Sequence, residues 1–368
     1  MAKNKPVLTE IKLRHFRCFR SLACEFAPAA NVIAGPNAQG KTSLLEAVCV
    51  LLRLQSPRIT MLGHAIQHEQ RGFVVDGHCA ARHMQFYFSR ERKKIALDSV
   101  EQKTAREYLE IARVVYFSNP DIEIVRGAAE QRRKFLDFVA AQLDATYRRN
   151  LRAYERALRS RNHLLKMPRP NLREIAAFDG PLIESGTAIT QARARLVEAL
   201  QPHAEAAQRV ISGAGKNAEK NDDAKNVETL EIEHLRGADG DFADALAAAR
   251  EEDLRLRQTT VGPHRDDLAL FLNERSSEFA SEGQQRSIAL ALKLAQAKLL
   301  EEKSGAPPLL LLDDIFGELD PARRNALLQN LPAHAQQIIT TTHLDWMERA
   351  TKTVQIFRLE NGNLTRQQ

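Results

Sequence analysis

Eight residues constrain this chain more than any others. Gly35-Pro36-Asn37-Ala38-Gln39-Gly40-Lys41-Thr42 follows the short apolar run ANVIA and precedes the apolar run TSLLEAVCVLL. The spacing G-x-x-x-x-G-K-[ST] between a strand and a helix lets backbone amides wrap a row of phosphates at the helix N-terminus, where the peptide dipoles favour negative charge. In that setting Lys41 reaches the outer phosphates and the Thr42 hydroxyl becomes a ligand for Mg2+. A strand feeding such a loop commits this part of the chain to an α/β fold.

A nucleotide site needs a second half, an apolar strand that ends in a carboxylate. Leu309 to Leu312 followed by Asp313 and Asp314 supplies it. Such a strand is commonplace alone, and the phosphate loop gives it meaning. Asp313 is the candidate Mg2+ ligand, through water. Asp314 is the candidate catalytic group that orients or deprotonates an attacking water. A third element begins at Ser281, in SEGQQRSIALALKLAQAKLLEE. Ser281 and Gln284 have the spacing of a capping box. Ile288, Leu290, Leu292 and Leu294 alternate as in a strand. However, about twenty residues pass without Gly or Pro, and Ala, Leu, Lys and Gln favour a helix. The expected helix therefore starts in a polar turn containing Gly283, with free amides that attract an anion. His343 closes a further apolar strand, QQIITTT.

Around these motifs the chain reads as an α/β domain interrupted by a helical insertion. Short strands precede it (LTEIKLRHFRCF, GFVVDGH, MQFYFS, VVYFS). Between Ala128 and Lys166, Leu136, Val139, Leu143, Tyr147, Leu151, Tyr154 and Leu158 recur at helical spacing and predict one long helix. KMPRPN ends it. Leu182, Gly186, Ile189, Leu196, Leu200 and Ala207 predict a second helix, antiparallel to the first. A polar loop is expected from Ser212, after which strands return. The expected division is a discontinuous head of residues 1–118 and 256–368, with an insertion of 119–255. Its 368 residues are 43% hydrophobic and 27% charged. No apolar run approaches the roughly 18 residues of a membrane span, and the start of the chain lacks the apolar core of a signal peptide. Cys18, Cys24, Cys49 and Cys79 form no C-x-x-C pair and read as free thiols of a reducing, cytoplasmic protein.

The order phosphate loop, Ser281-Glu282-Gly283-Gln284, aspartate pair, Glu318-Leu319-Asp320, His343 resembles an ABC-type ATPase head. Within that class the chain resembles the RecF family of bacterial recombination proteins over nearly its whole length. The carriers are LRHFRCFRSLACEFAPAANVIAGPNAQGKTSLLEA, VVYFSNPDIEIVRG, RRKFLDFVAAQLDATYRRNLRAYERALRSRNHLLK, VGPHRDDL, SEGQQRSIALALKLA and LLLLDDIFGELD. The resemblance implies ATP and Mg2+ as cofactors and a homodimer in which Ser281, Gly283 and Gln284 face the nucleotide of the opposite copy. His343 joins Asp314 as a catalytic group. It further implies slow, DNA-stimulated ATP hydrolysis and sequence-independent binding to single-stranded, gapped and duplex DNA. The implied partners are RecO, RecR and the RecA recombinase, which the protein helps load at gaps and junctions in replication-fork repair and the SOS response. Two departures from the family pattern stand out. Ala38 replaces a usual glycine, and Asn119-Pro120-Asp121 replaces a Pro-acid-Asp stretch and offers no evident glutamine-loop equivalent.

Charge supports DNA independently. Arg132 to Arg173 holds twelve Lys or Arg against three acids, a net of +9 where the whole chain carries +6 and the remainder therefore −3. A basic hairpin of this kind is the footprint of phosphate-backbone contacts, with Arg148, Arg152, Arg156 and Arg159 as its candidate DNA-binding face. A charged, solvated helix face is the plainer explanation of the same residues. A transporter engine finds no membrane-coupling feature here. An OLD-type or anti-phage ATPase would carry a nuclease module after the head, where only some 25 residues follow His343. A scaffold with a dead site conflicts with the complete set of motif residues.

Overall fold

The computed structural model describes residues 7–213, 228–347 and 354–367. These form two compact units, the first from residues 1–120 and 296–368, the second from 121–295. The first unit holds two sheets. One is antiparallel, in the order β2-β1-β4-β5-β6-β7, from β1 (Leu8–Phe16), β2 (Phe19–Glu25), β4 (Gly72–Cys79), β5 (Arg82–Ser89), β6 (Lys93–Leu97) and β7 (Val100–Glu101). Its central strands alternate buried and half-buried residues because one face is covered more fully than the other. The other runs β15-β14-β3-β13-β12-β8, from β3 (Ala30–Ala34), β8 (Val114–Ser118), β12 (Leu309–Asp313), β13 (Gln337–Thr341), β14 (Val354–Glu360) and β15 (Asn363–Arg366). All its pairs are parallel except β14 with β15.

β12 is buried along its full length, with Leu309 to Leu312 at most 1% exposed. That explains an unbroken leucine run in place of alternation. The helix Lys41–Arg53 packs on strands of both sheets, and Leu44 to Leu52 is buried all round. Each such leucine contributes about 1.5–3 kcal/mol by leaving water. Register then sets the site. Asp313 lies opposite Ser118 on one side and Thr340 on the other, and Thr341 lies opposite Ala34. The C-terminal ends of β8, β12, β13 and β3 are thus level, the edge where open parallel sheets bind ligands.

The second unit is mostly helical, with a small sheet β11-β10-β9 of β9 (Leu230–Leu235), β10 (Asp267–Leu272) and β11 (Arg275–Ser276). The single helix expected from Ala128 to Lys166 is two, Ala129–Leu143 and Ala145–Leu165. Asp144 breaks the run in an extended conformation and caps the second helix through the Thr146 amide. The buried stripe of that second helix is Tyr147, Tyr154, Ala157, Arg161 and Leu165, while Leu151 and Leu158 are only half buried. Its antiparallel mate, Asp179–Ile211, buries Leu182, Gly186, Ile189, Leu196 and Leu200, with Ala204 in place of Ala207. The polar stretch after Ser212 lies, beyond Gly213, outside the described residues.

The first unit resumes at residue 296, where the sequence expectation had put the return at 256. The intervening strands pair with one another, and β9 and β10 pack on the helices of the second unit. The run VGPHRDDL is the hub of that packing. Arg193 donates to Asp266 at 3.0 Å and His234 lies 3.1 Å from the same carboxylate, while Arg132 grips Asp267 at 2.6 and 2.9 Å. Burial alone would raise the Asp266 pKa. The His234 contact, the Gly237 amide and Arg193 outweigh it and hold the carboxyl below its usual range. Removing one partner from such a buried group typically costs about 3–5 kcal/mol.

Candidate nucleotide site

The phosphate loop leaves β3 and turns into the helix Lys41–Arg53 through Gly40, whose φ of 99° lies in the left-handed region. A Cβ there would meet Cys18 Sγ at 2.7 Å and Phe19 at 2.8 Å, so glycine is required by both conformation and space. Gly35 is required by space alone, since a Cβ would fall 2.3 Å from the Leu359 carbonyl. The Gln39 side chain fixes the other shoulder by accepting from the Asn361 amide at 2.6 Å. Ala38 adopts φ 63°. That conformation costs a non-glycine residue about 1–2 kcal/mol, which is a physical reason for glycine at this point in relatives. The helix start carries no side-chain cap and no acid in its first turn, so its amides remain available to an anion.

Lys41 is buried and donates to the carbonyls of Gly35 at 2.6 Å and Pro36 at 2.9 Å. Burial lowers its pKa, against which the negative charges of Asp314 and Asp313 act. The Thr42 hydroxyl lies 2.9 Å from Asp313 Oδ1. Asp313 also accepts from Thr340 Oγ1 at 2.8 Å and from Tyr116 at 2.6 Å. A hydroxyl and a fixed carboxylate side by side form the hard-oxygen pair that suits Mg2+. Asp314 takes a left-handed conformation, φ 52° and ψ 25°, and its Oδ1 is buried without a protein partner. Burial raises its pKa, opposed by Lys41 and assisted by Asp313. A buried carboxylate oxygen with no protein donor is suited to accept from a bound water. Gly35, Pro36, Asn37 and His343 line a cleft of about 520 Å3, and the His343 side chain is exposed.

The structure therefore gathers Gly35 to Thr42, Asp313, Asp314 and His343 in one unit. Ser281, Gly283 and Gln284 belong to the other. There the capping box forms in full: the Ser281 amide donates to Gln284 Oε1 at 2.9 Å, and the Gln284 amide to Ser281 Oγ at 3.3 Å. The helix is Glu282–Ser304, and Ile288, Leu290, Leu292 and Leu294 are all buried because it is enclosed on nearly every side. The four arginines on Ala145–Leu165 are not alike. Arg152, Arg156 and Arg159 are exposed, whereas Arg148 is half buried, with its pKa pushed down to about 10 by burial and then by Arg152. Arg149 is exposed in its stead. Two further members of the basic run, Arg132 and Arg161, are buried in ion pairs. Sequence reasoning missed Tyr116 and Thr340, on strands beside the aspartate pair, and noted Asn119, just past β8, only as a departure from the family pattern.

A strand–loop–helix phosphate cradle beside a parallel strand ending in two aspartates, in a chain that also supplies a capped Ser-Glu-Gly-Gln helix start, defines an ABC-type ATPase head with a helical insertion. The RecF/RecN/SMC N terminal domain family matches residues 7–365, and the Smc head domain of Pyrococcus furiosus shares the fold at a TM-score of 0.54 and 15% identity. Within this class the chain belongs to the RecF family. It is 31% identical to the DNA replication and repair protein RecF of Lactococcus lactis subsp. lactis, over 98% of this chain and 99% of that one. It is 32% identical to RecF of Bacillus thuringiensis, over 97% and 98%. The solved structure of the recombination mediator protein RecF-ATP in the RecFOR pathway superposes with a TM-score of 0.86 at 29% identity, covering 100% and 99% of the two chains. Among the described residues no helix is long and apolar enough to cross a membrane.

Proposed function

We propose that this protein is an ATP-dependent DNA-binding factor of recombinational repair that works as a cytoplasmic homodimer. The observation that carries the reading is the cluster of Lys41, Thr42, Asp313 and Asp314 at level strand ends, within a chain of the RecF family. The phosphate loop and Lys41 bind the triphosphate, and Thr42 and Asp313 hold Mg2+. The metal supplies charge neutralisation at the outer phosphates. Asp314 and His343 act at the γ-phosphate, with Asp314 holding the attacking water. The buried, unpartnered oxygen of Asp314 supports that role. Ser281, Gly283 and Gln284 of one copy complete the site of the other. DNA is met through phosphates, by Arg152, Arg156 and Arg159 on an exposed helix face and by Arg148 at its margin. Loading of RecA at gaps and junctions with RecO and RecR, and a place in the SOS response, follow from the family resemblance.

The test is sedimentation and DNA binding with and without ATP. ATP is expected to convert monomer to dimer and to tighten DNA binding, and Lys41→Ala to abolish both. Equal monomer fractions in the two conditions would remove the dimer reading. A nuclease assay separates the OLD-type alternative, and no cleavage is expected.

A further inference from the structure

β8 and β12 pair in parallel with Ser118 opposite Asp313, so the next residues, Asn119 and Asp314, are neighbours by register. Asn119 uses both amide hydrogens there. Its Nδ2 donates to the Asp314 main-chain carbonyl at 3.3 Å and to Glu318 Oε1 at 2.8 Å. On the opposite side, the Asp314 amide donates to the Thr340 carbonyl at 3.2 Å and to Thr340 Oγ1 at 3.1 Å. The peptide groups of one left-handed residue are thus held from two strands, β13 through its N–H and the end of β8 through its C=O. Asp enters the left-handed region more readily than most residues, and here the anchored peptide groups hold it there. The consequence is a carboxylate whose backbone is fixed while Oδ1 stays buried and without a protein donor.

We infer that Asn119 is the positioning residue of the Asp314 turn: by tying the Asp314 carbonyl to the Glu318 carboxylate it fixes where the Asp314 side chain stands. The inference rests on the proposed role of Asp314 in turnover. Both Asn119 amide hydrogens go to the Asp314 turn, so on this inference its loss alters the rate of the chemical step and leaves nucleotide affinity alone. Toward Asn119, Glu318 serves as an acceptor, a role that a glutamine carbonyl can also fill. An aspartate at 119 would set acceptors against acceptors and would be worse than alanine.

The experiment measures ATP turnover and direct ATP affinity for the parent, Asn119→Ala, Asn119→Asp, Glu318→Ala, Glu318→Gln and the double alanine variant. Hydrogen exchange of residues 313–320 is followed in the nucleotide-free protein. Expected for Asn119→Ala is a kcat lower by about tenfold, the scale of one or two hydrogen bonds, with unchanged affinity. Exchange across 313–320 should be faster by a similar factor, Asn119→Asp lower still, and Glu318→Gln close to the parent. Glu318→Ala removes one of the two Asn119 bonds from its other side, and the double variant should be no slower than Asn119→Ala alone. A parent without turnover would sink the ATPase reading and this inference with it. A parent that turns over, with Asn119→Ala equal to it in both kcat and exchange, overturns the inference alone. A loss of affinity in place of kcat would overturn it too, by making Asn119 a ligand contact.

Discussion

At the level of single residues, what could be read from the sequence was what lies within one motif. Lys41 and Thr42 are adjacent in the loop, and Asp313 and Asp314 follow one apolar run. The groups that hold the aspartates were hidden because Tyr116 is 197 residues from Asp313, and only strand register joins them. Thr340 was hidden for the same reason, and so was the contact between Asn119 and the Asp314 turn. The two aspartates differ in surroundings, and that difference predicts different variants. Asp313 accepts from three hydroxyls, whereas Asp314 keeps an oxygen without a donor. Asp314→Asn keeps shape but cannot take a proton from water, so turnover should fall by about a hundredfold or more with ATP binding and dimerisation retained. Asp313→Ala removes a carboxylate that fixes Thr42, and should raise the Mg2+ concentration needed for nucleotide binding by about tenfold. Titrating ATP affinity against Mg2+ beside steady-state turnover separates the two. Parent-rate turnover in Asp314→Asn would refute its assignment.

Among the elements, helical spacing gave the hairpin but concealed the break at Asp144, since the apolar rhythm runs on across it. The signal was present: an Asp two residues before Thr146, placed to cap. Composition likewise counted twelve basic residues without telling buried ones from exposed ones, because Asp267 and Asp253, which bind Arg132 and Arg161, lie far along the chain. The exposed stripe is narrower than the charge count, and it yields the sharper test. Arg152→Glu, Arg156→Glu and Arg159→Glu together should weaken DNA binding about equally across sequences, since phosphate contacts carry no code. The slope of log K against log salt on duplex DNA should flatten by roughly 0.9 for each phosphate that is no longer neutralised. ATP binding should be untouched, because none of the three belongs to the unit that holds the phosphate loop. A salt titration with ATP present decides it. An unchanged slope in a folded variant moves the DNA-binding surface off this helix.

For the whole molecule, the sequence order of motifs gave a head with an insertion, but not where the insertion ends. β9 to β11 look like strands of the head until their pairing is known, and the aspartates of VGPHRDDL bind arginines of the helices beside them. The division matters for function because the phosphate loop and the Ser281 turn fall in different units. Under the proposed reading the Ser281 turn serves the opposite copy, and a closed two-fold dimer then makes two composite sites. Ser281→Arg should leave ATP binding by the monomer intact while blocking dimerisation and turnover, because a bulky cation would occupy the approach to the facing loop. Lys41→Ala fails in its own loop but retains a good Ser281 turn. In a mixture of the two proteins, one heterodimer site combines intact Lys41 with intact Ser281, and the other carries both defects. Turnover should therefore return on mixing although neither protein turns over alone. The measurement is ATPase activity of each variant and of the mixture across a range of ratios, with nucleotide affinity determined for Ser281→Arg. A Ser281→Arg monomer that cannot bind ATP would place Ser281 in its own copy's site and end the trans assignment. A mixture as inactive as its components would mean that both composite sites must be whole before either turns over.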